Sequence, residues 1–187
     1  MKKNAKARIP LIKPNLSFAE FVKLAKTSFE TGILTKGPYV QQFERDITRY
    51  IGTKHAFSTT SATTALHLSL VAMGIQKGDE VLVADFTFPA TANVVVQTGA
   101  TPILVDIDLD TFNINLQDLK RKITSKSKAI IFVDAFGNPA DITELKKLSK
   151  EYNLKLIEDA ACAIGAKFDG IMSGKGADVG CFSFHPR

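Results

Sequence analysis

The amino-acid sequence predicts an α/β protein in which a mainly parallel sheet lies between helices, three layers deep. Short apolar runs alternate with stretches of helical spacing along most of the chain, and no internal repeat or low-complexity linker interrupts them. A length of 187 residues with 45% hydrophobic content suffices for one domain with a proper core.

A leading arm comes first. Residues 16–31 then place Phe18, Phe21, Val22, Leu24, Ala25 and Phe29 at helical spacing and stop at Gly32, the residue type best suited to a left-handed cap. The turn-rich stretch from Leu34 to Pro38 separates this helix from a second one through Val40, Phe43, Ile47 and Tyr50, which ends at Gly52. An apolar run near His55 to Ser58 predicts a first strand, followed by a helix from about Thr63 to Met73. Strands at 80–84, 102–106, 129–133 and 154–158 alternate with helices at about 90–98, 116–123 and 142–152. The closing GADVGCFSF reads as one further strand, after which the sheet looks cut. Alternation this regular implies parallel pairing with helices on both faces, and in such sheets ligands bind beyond the carboxyl ends of the strands.

Composition narrows the function. The 24 basic and 19 acidic residues give a net charge of +5, but the lysines collect in short solvated groups such as Lys120, Arg121, Lys122, Lys126 and Lys128. No aromatic residues interleave with them, so a basic enzyme handling anionic ligands is favoured over a nucleic-acid binder. There is no apolar run of membrane-spanning length, and MKKNAKARIP has no apolar stretch behind its lysines, so a cytoplasmic protein is expected. Cys162 and Cys181 are too few for a disulfide scaffold and lack the spacing of a zinc site; they are expected to be buried free thiols, with no metal.

Several residues carry candidate chemistry. STTSATTAL, from Ser58 to Leu66, places small hydroxyl residues between a strand and a helix. Free N–H groups converging there would cradle a phosphate, while an ordinary Ser/Thr cap is the plainer alternative. Asp159, in EDAA, ends a strand, where its carboxylate either keeps a pyridine nitrogen protonated or caps the turn that follows. Phe88, in DFTFPATAN, offers either a flat stacking face or a core side chain. Ser183, in CFSFHP, sits at another strand end and could add a hydroxyl to a phosphate; neighbouring His185 is open between an acid/base and a structural role.

In this order, LTKGPYVQQFE, HAFSTTSATTALHLSL, GIQKGDEVLVADFTFPATAN, GATPILVDIDLDTFNI, AFGNPADI, LIEDAACAIGA and CFSFHPR resemble the DegT/StrS family of nucleotide-sugar aminotransferases, which depend on pyridoxal phosphate. The resemblance runs through nearly the whole chain. It implies the large domain of a fold-type I, aspartate-aminotransferase-like enzyme, here truncated, with its C-terminal small domain absent. It implies that Ser61, Ala62, Thr63, Thr64 and Ser183 bind the cofactor phosphate, that Phe88 stacks on the ring and that Asp159 pairs with its nitrogen. Three positions depart from the family pattern: Ala62 replaces a frequent glycine, Cys162 a frequent glutamine that approaches the ring, and Asp134 a frequent histidine, with a bearing on substrate choice.

The lysine that holds the cofactor covalently would follow the SFHPR-like segment and is absent from the chain, which is therefore expected to be inactive by itself. Lys167 and Lys175 are the residues that would have to take over if it were not. The implied whole enzyme is a cytoplasmic homodimer that transfers an amino group from glutamate to a nucleotide-linked keto-sugar for polysaccharide or antibiotic synthesis. The alternatives are a related sugar dehydratase, with histidine at the lysine position, a non-catalytic regulator, and a nonfunctional fragment of an aminotransferase. Exposed apolar surface is expected on the truncated chain.

Overall fold

The computed structural model describes residues 17–33 and 35–185. The leading arm, Lys2, Lys3 and Lys6, the turn residue Leu34 and the terminal Arg187 fall outside them. Two amphipathic helices lead. Helix α1 (Phe18–Thr31) is capped by the Ser17 hydroxyl, which accepts the Glu20 N–H, and it ends at Gly32 with φ 68°. Helix α2 (Pro38–Ile51) begins on a proline in its first turn and ends at Gly52 with φ 79°. Both glycine stops are where the sequence places them.

No residue of α1 is buried; Phe18 is 80% exposed and Phe29 74%. The expected exposed apolar surface is therefore found on this helix.

After α3 (Ala62–Ala72) the chain alternates: β1 (Glu80–Ala84), α4 (Ala90–Gln97), β2 (Thr101–Val105), α5 (Leu116–Lys122), β3 (Ser127–Val133), α6 (Ile142–Tyr152) and β4 (Lys155–Asp159). A two-residue hairpin, β5 (Lys167–Phe168) with β6 (Ile171–Met172), precedes β7 (Val179–Cys181). The main sheet has five strands in the order β2-β1-β3-β4-β7, all parallel. The chain steps from β1 outward to β2 and then returns to the other side of β1 as β3, which makes the β1/β3 boundary the switch point of the sheet.

The core lies on both faces of the sheet, as the continuous apolar runs of β1 and β3 require. On one face Leu66, Leu70, Val94 and Val95 from α3 and α4 pack on Val81, Val83, Ile131 and Ile157. On the other, Leu119 and Leu145 from α5 and α6 pack on Leu82, Ile130, Phe132 and Leu156. This is the expected three-layer arrangement.

Two sequence expectations are corrected here. His55–Ser58 is not a strand: it pairs with no strand among the described residues, and Phe57 is 83% exposed. An apolar run becomes a strand only when a sheet edge accepts its backbone, and here α2 holds the segment instead, through Glu44 Oε1 accepting the Ser58 N–H at 2.8 Å. The closing strand is three residues long, so Phe182 to His185 run on outside the sheet.

Candidate functional site

Because α3 leads into β1, its N-terminus lies at the end of the sheet where the strands finish, and α4 begins there directly after β1. Asp159, the last residue of β4, lies on the same face of the sheet as Ile157, the face covered by α3 and α4. Thr91 of α4 confirms that placement by donating its hydroxyl to Asp159 Oδ2 at 2.8 Å.

Ser61 caps α3: its hydroxyl accepts the Thr64 N–H at 3.1 Å and lies 3.0 Å from the Thr64 hydroxyl, which also meets Thr60 at 3.0 Å. The plainer reading of this loop, a Ser/Thr cap, is thus realised. Capping consumes one first-turn donor, whereas the Ala62 and Thr63 N–H groups have no acceptor among the described residues. Two free N–H groups at the positive end of a helix form an anion site. Ala62 opens the helix without a positive φ, so the alanine in place of glycine costs no backbone strain.

Asp159 is 5% exposed. It accepts from Thr91 and, at Oδ1, from the Ala161 N–H at 3.3 Å, so it also caps the following turn. Burial raises its pKa above the usual carboxylate value, the two donors oppose that rise, and the nearby Asp134 adds to it. None of the ion pairs formed among the described residues involves Asp159.

Phe88 lies between β1 and α4 with 57% of its surface exposed, so it is not a core side chain. Its carbonyl accepts the Thr91 N–H at 3.0 Å, which ties the Phe88 turn to the helix that holds Asp159. Ser183, half-buried beyond β7, accepts the His185 N–H at 3.3 Å. His185 is exposed, and Phe184 between them packs edge-on against Phe43 of α2 at 4.9 Å. Cys181 is buried, with its thiol pushed up to about 12 by desolvation; Cys162 is exposed, against expectation, because it sits on the turn after Asp159 and not in a strand. Lys175 is exposed beside Gly52, and Lys167 is exposed on the β5–β6 hairpin.

Sequence reasoning singled out neither Thr91 nor Glu158, and it took Asp134 as a position bearing on substrate choice. Thr91 has no exposed surface, and its hydroxyl bridges Thr87 at 2.7 Å to Asp159. Two hydroxyl residues four apart at the start of a helix were the available signal. Asp134 is 1% exposed and faces Glu158 and Ser173, so it sits inside the protein and not where a substrate would be chosen.

Residues 17–187 match the model of the DegT/DnrJ/EryC1/StrS aminotransferase family. The chain belongs to this family. GDP-perosamine synthase of Escherichia coli O157:H7 is 40% identical over 176 residues, which cover 94% of the chain and 48% of that enzyme. The synthase of the same name from Caulobacter vibrioides is 42% identical over 177 residues, 95% of the chain and 48% of the enzyme. Among solved structures, the pyridoxal phosphate form of the putative sugar aminotransferase Spr1654 of Streptococcus pneumoniae superposes with a TM-score of 0.88 at 33% identity, over 95% of the chain and 49% of Spr1654. The fold is therefore that of the aminotransferase large domain, and the chain spans about half the length of the curated relatives it matches. No helix among the described residues is long and apolar enough to cross a membrane.

Proposed function

We propose that the chain is the cofactor-holding part of an enzyme that uses pyridoxal phosphate to move an amino group from glutamate onto a keto-sugar carried by a nucleoside diphosphate. The observation that carries this reading is Asp159: a carboxylate 5% exposed, with two hydrogen-bond donors and no ion pair among the described residues, at the carboxyl end of a parallel sheet. A buried carboxylate is stabilised by a cation brought to it, and a protonated ring nitrogen is such a cation. Family membership and the sugar-aminotransferase relatives support the same reading.

The residues present fit the group. Ala62 and Thr63 hold its phosphate through their N–H groups, with the Ser61, Thr64 and Ser183 hydroxyls beside them. Phe88 would cover one ring face, and Cys162, on the turn after Asp159, would stand beside the ring. When bound, pyridoxal phosphate supplies a ring that takes up the electron pair released at the substrate carbon. Asp159 would keep the proton on the ring nitrogen, Thr91 fixes the Asp159 carboxylate, and the α3 cap orients the two free N–H groups. The whole enzyme works in the cytoplasm as a homodimer.

In the whole enzyme, Asp159→Asn should retain the far-ultraviolet circular dichroism spectrum while the transamination rate falls by orders of magnitude. Near-normal turnover would remove Asp159 from this role.

A further inference from the structure

Behind Asp159, on the opposite face of the sheet, two more acids are sealed in the interior: Asp134, 1% exposed after β3, and Glu158, 3% exposed on β4. β3 and β4 are adjacent, with Phe132 paired to Glu158 and Val133 to Asp159, so the two side chains meet, and Glu158 makes a hydrogen-bonding contact with Asp134. Their donors can be counted. Asp134 accepts the Ala140 N–H at 3.1 Å and the Ser173 hydroxyl at 2.6 Å. Ser173 has one hydroxyl proton, and giving it to Asp134 leaves Glu158 with the Gly174 N–H, while Glu158 Oε2 is buried with no donor among the described residues.

None of the ion pairs among the described residues involves these acids. Of the elements packed on this face, α6 contributes Ile142 and Leu145 and the β5–β6 hairpin contributes Phe168 and Ile171, while α5 carries Asp118, whose charge is taken up by Arg121 and Lys122. On the far face of the sheet, β4 carries Asp159, and the Cys181 thiol on β7 is neutral. Two adjacent ionised carboxylates without a cation would be prohibitively costly in such a place. A proton on Glu158 Oε2, donated to Asp134, fills the one vacant bond and removes one of the charges.

We propose that Asp134 and Glu158 hold one proton between them and present a single fixed negative charge behind Asp159, acting as positioning residues for that carboxylate. The same direction is seen in the pKa of Glu158, pushed up to about 8 first by burial and then by Asp134. Asp134 also raises the pKa of Asp159. A charge so placed opposes ionisation of Asp159 until a cation arrives, and then favours the cation. The part concerning a ring nitrogen rests on the function proposed above; the shared proton does not.

Carboxyl-carbon NMR of the ¹³C-labelled chain tests both halves. Glu158 should be protonated at neutral pH and lose its proton only as pH rises through about 8, with the Asp159 carbon shifting in the same step. Glu158→Gln keeps the hydrogen bond to Asp134 without the titrating proton and should abolish that step while preserving the fold. In the double variant Asp134→Asn/Glu158→Gln the charge is gone, and Asp159 should titrate at lower pH. Glu158 ionised at neutral pH would overturn the shared proton. An Asp159 signal that ignores both the Glu158 step and the double variant would overturn the charge. None of these readings uses the cofactor, so failure of cofactor binding would sink the proposed function and leave this result standing.

Discussion

Thr91 illustrates how a single side chain sets the state of the site. Its hydroxyl donates to Asp159 at 2.8 Å, and that bond favours the charged carboxylate where burial disfavours it. Thr91→Val removes the donor and keeps the shape, so it should destabilise the chain by roughly 1–3 kcal/mol in urea unfolding at neutral pH. It should also move the Asp159 titration further upward, which NMR can follow. Because the pKa of Asp159 is raised on folding, the stability it contributes is full below its unfolded value and is lost as pH rises through the folded one. Glu158 has the same sign, its contribution declining between the ordinary 4.5 and about 8. The sequence placed Asp159 at a strand end, but residue type and period did not reveal Thr91, Asp134 or Glu158 as its surroundings. Their importance comes from burial and from contacts between strands that are distant in sequence.

Secondary elements with a strong period and a stop residue were readable to within a few positions. Gly32 and Gly52 end α1 and α2, and α6 runs from Ile142 to Tyr152 as its spacing predicts. The run near His55 failed because strand formation depends on a neighbour, which no local pattern encodes. The β5–β6 hairpin went unnoticed because two-residue strands carry no period. Two caps make element-scale predictions. Ser61→Ala should cost about 1 kcal/mol in unfolding free energy through loss of the Thr64 N–H acceptor, and the freed first turn of α3 should fray, as hydrogen exchange at Ala65 would report. In α5, Asp118 accepts the Asp106 N–H at 2.8 Å and pairs with Lys122 at 2.7 Å and Arg121 at 3.0 Å. The Lys122 contact, foremost, lowers its pKa to about 2, so its stabilising effect is present above 3.8 and lost as pH falls through about 2. Asp118→Asn should lower Tm at neutral pH and flatten the acid limb of a Tm-against-pH curve.

At the scale of the molecule, one end of the parallel sheet gathers the open first turn of α3, the Phe88 turn, the Asp159 carboxylate and Ser183, drawn from four separate stretches of chain. The groove bordered by Ile123, Thr124, Ser127, Lys128 and Tyr152 lies at the other end, where β3 begins, and carries no comparable set. The fold class followed from the alternation of elements, whereas the proposed convergence of these residues on one site rests on the direction in which every strand runs. A titration of ¹⁵N,¹³C-labelled chain with pyridoxal phosphate, followed by NMR, tests that convergence most directly. The Ala62 and Thr63 amides and the Asp159 carboxyl carbon should shift together along one saturable curve and return on dialysis, with Asp159 moving toward its ionised value. Shifts that appear elsewhere, or at the α3 amides without Asp159, would contradict a single cofactor site at this end of the sheet.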